Sequence, residues 1–96
     1  MNDELVERVR ESLTSRQPNP SIDFRLIFTF ESLAQNPVDL TKHDVTLMVV
    51  AEPLEITDLL GQIGPGLGRL YPVRIPYSSI PELLADSRVK EIILDD

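Results

Sequence analysis

The sequence predicts a small α+β domain, a sheet covered on one face by short helices. Two stretches, Asp44–Ala51 and Val89–Leu94, carry apolar residues on both alternating sets, as strands buried on two sides do. Apolar residues at helical spacing precede and separate them. The chain has 96 residues, 42% of them hydrophobic, enough for a single core of modest stability.

Asp3 to Leu13 reads as a helix with Leu5, Val6, Val9 and Leu13 on one stripe and Glu4, Arg8 and Glu11 away from it. The Thr14–Ser21 stretch, with two prolines, Asn and Ser, then breaks it as a linker or turn. Residues 1–20 are therefore expected as a helix and linker, docking on the core or on another chain, and residues 21–96 as the main module. Ile22–Phe30 reads as a strand: Ile22, Phe24, Leu26, Phe28 and Phe30 alternate with Asp23, Arg25 and Thr29. All three Phe would then share one buried face. Residues 31–42, which include Asn36-Pro37, read as a loop with at most one helical turn.

In Asp44–Ala51, Val45, Leu47 and Val49 occupy one face and Met48 and Val50 the other. Pro53 is expected to open an amphipathic helix that presents Ile56, Leu59, Leu60 and Ile63 at i, i+3, i+4 and i+7. All four glycines fall in Gly61–Gly68. That segment lacks the Lys-Ser/Thr of a phosphate loop and follows a helical pattern where such a loop would precede one, so it reads as a helix end and turn. Arg69–Pro76 is extended, and Pro72 and Pro76 mark it as an edge strand or a break. Ser79 and Glu82 have capping-box spacing ahead of a short helix with Ile80, Leu83 and Leu84. In the last strand, Val89 and Ile93 are assigned to one face, Ile92 and Leu94 to the other.

Short helices cover only one face of such a sheet. The apolar residues of the second face then need a partner, another copy, or the N-terminal helix folded back over them.

The net charge of −7, with scattered basic residues, excludes a general nucleic-acid surface. It suits either a basic partner or a solvated exterior. Without Cys there is no disulfide or thiolate metal site, and the single His43 anchors neither a metal cluster nor a nucleophile pair. No glycine-flanked serine elbow or His-Glu-x-x-His helix occurs, and Asp95 and Asp96, adjacent on a strand, point apart. The expectation is a non-enzymatic chain with no cofactor and no metal. With no secretory signal and no membrane-length apolar run, a cytoplasmic location is expected, unless the chain is cut from a longer precursor.

VTLMVVAE and, after an amphipathic helix, VRIPYSSIPELLADSRVKEIILDD carry a resemblance to the pro-domains of subtilisin-like serine proteases and to their stand-alone inhibitor relatives. The matching positions are Ser79, Leu83-Leu84, Asp86, Val89, Ile92 and Asp95, and the likeness spans roughly the C-terminal half. It implies a ferredoxin-like sandwich, a mainly antiparallel sheet with two helices on one face, to which the N-terminal helix is added. Ile22–Phe30 would supply its fourth strand. It further implies a bare sheet face that packs on a protease domain, in cis or in trans, as inhibitor or folding chaperone. The expected partner-binding residues are Met48, Val50, Ile93, Leu94, Asp95 and Asp96. The second expectation is a ferredoxin-like regulatory or assembly domain that acts as a homodimer, or with another protein, through the same face.

Overall fold

A computed structural model describes residues 3–14 and 20–95. The order is α1 (Asp3–Thr14), β1 (Ser21–Ile22), α2 (Phe24–Ala34), β2 (Asp44–Ala51), β3 (Leu70–Pro76), a 3-10 turn (Tyr77–Ser79), α3 (Ile80–Leu84) and β4 (Val89–Leu94). From β1 onward this is a βαββαβ chain, folded as an α+β sandwich of ferredoxin-like type. The sheet order is β1-β4-β2-β3; β2 is antiparallel to both neighbours and β1 runs parallel to β4. Most of the expected linker, residues 15–19, lies outside the described residues.

β2 and β4 have the expected bounds. β2 alternates strictly, with Val45, Leu47, Val49 and Ala51 buried and Thr46, Met48 and Val50 half-buried. β3 is an edge strand, as its prolines require. One assignment in β4 changes. Val50 pairs with Glu91 but Ala51 with Val89, so Lys90 is an extra residue and its bulge turns Val89 into the core beside Ile92.

The expected strand Ile22–Phe30 is a strand only as far as Ile22, and α2 takes the rest. Helical spacing also fits these residues: Leu26, Ile27, Phe30, Leu33 and Ala34 form one face that packs into the core. The strand reading ignored Leu33 and Ala34, which continue only the helical period. Asp23 decides the local outcome as N-cap, its carboxylate accepting the Arg25 amide at 3.0 Å. Phe24 and Phe28 therefore do not join Phe30 inside. They stand 66% and 67% exposed on α2, ring centroids 5.9 Å apart, edge to face.

The expected helix from Pro53 is also absent. Only Ile56 and Leu59 of its apolar positions enter the core, while Leu60 and Ile63 are exposed. Two side chains, one from β3 and one from the segment itself, satisfy this backbone. The Tyr71 hydroxyl accepts from the Ile56 amide at 3.2 Å and donates to the Pro53 carbonyl at 3.3 Å. The Gln62 carboxamide donates to the Ile56 and Gly64 carbonyls and accepts from the Leu59 amide. A helix so short is marginal on its own, and these tertiary bonds displace it. The Ser79–Glu82 capping box does not form either. Ser79 already has helical dihedrals (φ −94°, ψ −1°) because the 3-10 turn leads straight into α3, and its side chain caps nothing.

α1 packs against α2, α3 and the 3-10 turn and sends Val9 and Leu13 into the common core. It thus belongs to the helical layer and does not fold over the second sheet face. Arg10 fixes it to α2 with a two-pronged ion pair to Glu31 (2.6 and 2.9 Å), which lowers the Glu31 carboxyl below its usual range.

Asp23 also joins α2 to the sheet. Its amide donates to the Ile92 carbonyl at 2.9 Å, its carboxylate accepts the Leu94 amide at 3.1 Å, and Arg25 bridges to the same carboxylate and to the Leu94 carbonyl. The Arg25 guanidinium is the main cause that holds the Asp23 carboxyl down at about 2, with the Arg25 and Leu94 amides adding to it and burial opposing. A depressed carboxyl stabilises the fold fully above its unfolded value, 3.8, and the contribution is lost as pH falls towards 2. Asp23→Ala is expected to lower unfolding stability by roughly 1–3 kcal/mol, from a lost cap and an orphaned strand amide. Urea titration at pH 7 measures this, and the gap from wild type should close between about pH 4 and pH 2.

Candidate functional site

Register shows which residues share the sheet face away from the helices. Cross-strand partners project to the same side, so Pro72, Met48 and Ile93 form one row and Leu70, Val50 and Glu91 the next. Arg74 and Thr46 begin a third row, completed by Asp95, whose amide donates to the Thr46 carbonyl at 3.1 Å. Met48, Val50, Leu70, Pro72 and Ile93 are each half-buried, and none belongs to the core that the helices cover.

The glycine-rich loop widens this face. Gln62 bridges to Val73 and Leu67 to Leu70, both in antiparallel sense, so the loop runs along the outer edge of β3. Ile63, the neighbour of Gln62, donates its amide to the Pro72 carbonyl, and the alternation turns its side chain to the open face. Leu67, paired with Leu70, projects to the same side. Ile63 is 59% and Leu67 80% exposed. Ile93, Met48, Val50, Pro72 and Leu70 thus continue into Ile63 and Leu67 as one apolar surface across β4, β2, β3 and the loop.

The β3 edge offers no free amide to an added strand. Along β3 the outward positions are Leu70, Pro72, Arg74 and Pro76. The two prolines have no amide to offer, Leu70 donates to the Leu67 carbonyl at 3.2 Å, and Arg74 donates to the Gly61 carbonyl at 2.9 Å. Leu70 and Pro72 carbonyls accept from Leu67 and Ile63 in turn. The Ile63 and Leu67 amides are consumed by these bonds and are not free to cradle an anion. At the other end of the sheet the outermost strand is two-residue β1, and beyond it the Asp23 carboxylate takes the Leu94 amide of β4.

Of the expected binding residues, Met48, Val50 and Ile93 lie together on the open face, and Asp95 is exposed at its rim. Leu94 faces the other way: it pairs with Leu47 and packs against the core. Asp96 lies outside the described residues. The residues that the sequence reading did not assign to the site are Ile63, Leu67, Leu70 and Pro72. An isolated leucine among four glycines was the one available signal, because a tight turn gives Leu67 nothing to pack on. His43 is exposed just before β2, and its carbonyl accepts the Tyr77 amide.

Among the described residues, no group of three or more His, Cys, Asp or Glu side chains is arranged to hold a metal ion, and no polar or charged residue is fully buried. Of the perturbed carboxyls, Asp23, Glu31 and Asp86 each owe their lowered range mainly to a single arginine partner, Asp39 owes its own mainly to the Thr41 hydroxyl, and the four lie apart along the chain. No helix among the described residues is long and apolar enough to cross a membrane. Protein-family models, curated proteins and solved structures were each compared with the chain, and none matches.

Gly61 seals the β3 edge with a backbone only glycine tolerates: φ is 73°, and a Cβ there would meet the Arg74 carbonyl oxygen at 2.6 Å. Gly61→Ala should cost more than about 1 kcal/mol. It should also raise hydrogen exchange at the Arg74 and Ile63 amides selectively, leaving the β2–β4 amides as protected as in wild type.

Proposed function

We propose that this chain is a non-enzymatic docking module that seats its open sheet face on a subtilisin-like protease domain, as inhibitor, folding chaperone or both, in cis or in trans. The observation that carries the reading is the continuous apolar face from Ile93 to Leu67, left uncovered by the helical layer while the outer edge of β3 has no free amide. A partner that added a strand would need an open edge, whereas one that presents a flat or helical surface needs an open face. The resemblance of VTLMVVAE and VRIPYSSIPELLADSRVKEIILDD to subtilisin pro-domains selects the class of partner. The acidic residues Glu91 and Asp95 rim the β4 side of the face, where they would meet donors at the ends of partner helices.

Met48 is the centre of the face and makes the sharpest test. Met48→Asp buries a charge at the contact and leaves the core face of β2 untouched. With a subtilisin-like catalytic domain as the probe, wild-type chain is expected to inhibit or to bind in calorimetry. Met48→Asp is expected to weaken this by at least about a hundredfold, roughly 2.7 kcal/mol, with its melting temperature preserved. Failure of the wild-type chain to bind any such domain overturns the reading. Deleting residues 93–96 would be a poorer probe, since the Leu94 amide and carbonyl tie β4 to α2.

A further inference from the structure

We infer that a second copy of this chain occupies the open face when no other partner does, in a two-fold dimer closed by Asp95 of one copy and Arg74 of the other. The inference rests on the reading of that face as a docking surface and names a competing occupant for it.

The rows of the face are self-complementary about an axis along β2. Such a two-fold keeps each row opposite itself and exchanges β3 with β4. Met48 then meets Met48 of the second copy, Val50 meets Val50, and Ile93 meets Pro72. In the third row Thr46 meets Thr46, and Asp95 at the β4 end comes opposite Arg74 at the β3 end. Symmetry makes this pair twice, once on each side of the apolar centre. In the second row Glu91 comes opposite Leu70 of the second copy, at the edge of the apolar centre. Aligned sheets stacked face to face about 10 Å apart bring such row mates into contact.

Both charges are available. Asp95 makes no ion pair among the described residues, and Arg74 holds Asp44 only through an exposed 3.6 Å contact. A pair that forms across a partly desolvated interface gains over that contact in geometry and in screening. The opposite charges also fix the orientation, because the two-fold that places β4 on β4 reverses the rows and sets Asp95 against Glu91.

The area limits the strength. Four segments about 4.8 Å apart and three rows about 6.8 Å apart, with their side chains, cover roughly 400 Å² per copy, or about 800 Å² in all. Stable specific interfaces bury about 1,200–2,000 Å². Two copies that each carry −7 also repel. The dimer is therefore weak and transient, and yields to a tighter partner.

Sedimentation equilibrium from about 10 μM to about 1 mM tests this, with wild type, Arg74→Asp, Asp95→Arg and the Arg74→Asp/Asp95→Arg double variant. Wild type should move from monomer towards twice the monomer mass. Each single reversal should weaken association at least tenfold, and the double variant should recover to within about threefold of wild type. All four should melt alike, because both positions are exposed. A wild-type chain monomeric at about 1 mM overturns the inference, as does association that the reversals leave unchanged or that the double variant fails to restore. The two proposals fail separately. A monomeric chain that binds a subtilisin-like domain through Met48 removes the dimer and keeps the docking reading. A charge-dependent dimer that no such domain dissociates keeps the dimer and removes the protease reading.

Discussion

Asp23 is the residue on which the two layers of the molecule depend. A carboxylate one residue past β1 ends that strand, caps α2, and takes the Leu94 amide that β1 is too short to reach. Its own amide extends the parallel ladder to Ile92. Because the same group terminates the strand and starts the helix, the direction of α2 relative to the sheet is set within a single residue. Leu26 and Phe30 then have one side to face, and they close the core over Leu47, Val49 and Ile92. Arg25 keeps the carboxylate ionised and anchors the Leu94 carbonyl, so the β4 edge is tied by charge-assisted bonds where a longer β1 would have supplied a ladder.

With the β3 edge sealed by the Gly61–Gly68 loop and the Leu94 amide of β4 taken by Asp23, the apolar surface left open is a face. This division has a physical logic. An open edge offers amides and carbonyls to any extended chain, whereas an apolar face selects by shape and by the charges at its rim. The loop serves both ends, since the strand-like run that caps β3 also carries Ile63 and Leu67 onto the face. Prolines at 72 and 76 complete the seal by removing donors that the loop would otherwise have to satisfy. The docking and dimer proposals draw on this one surface, and its modest area makes the two occupants exchangeable.

Local pattern was enough for β2, β3, β4 and α1. In β2 the β-branched and aliphatic run from Val45 to Val50 has no helical alternative. In β3 the prolines speak for themselves. The candidate site was legible to the same extent: Met48, Val50 and Ile93 lie where two-sided apolar strands put them. The failures came where two periods fitted the same residues. Leu26, Phe28 and Phe30 alternate like a strand, yet Leu26, Phe30, Leu33 and Ala34 follow a helix turn, and Asp23 as N-cap tips the balance to the helix. From Pro53 to Ile63 a sound helical pattern lost to the hydroxyl of Tyr71, from another part of the chain, and to the segment's own Gln62 carboxamide.

The sequence by itself determined the α+β class, the sheet's long strands, the proline edge and an apolar surplus that the helices cannot cover. These follow from side-chain periodicity and missing amides, which are properties of neighbouring residues. Only the tertiary structure decided how α2 is tied to β4, that α1 joins the helical layer, that a bulge at Lys90 buries Val89, and that Leu94 turns inward while Ile63 and Leu67 turn out. Each of these depends on a bond or a pairing between residues distant along the chain, such as Asp23 with Leu94, Ala51 with Val89, and Gly61 with Arg74. No local pattern encodes which distant group will arrive.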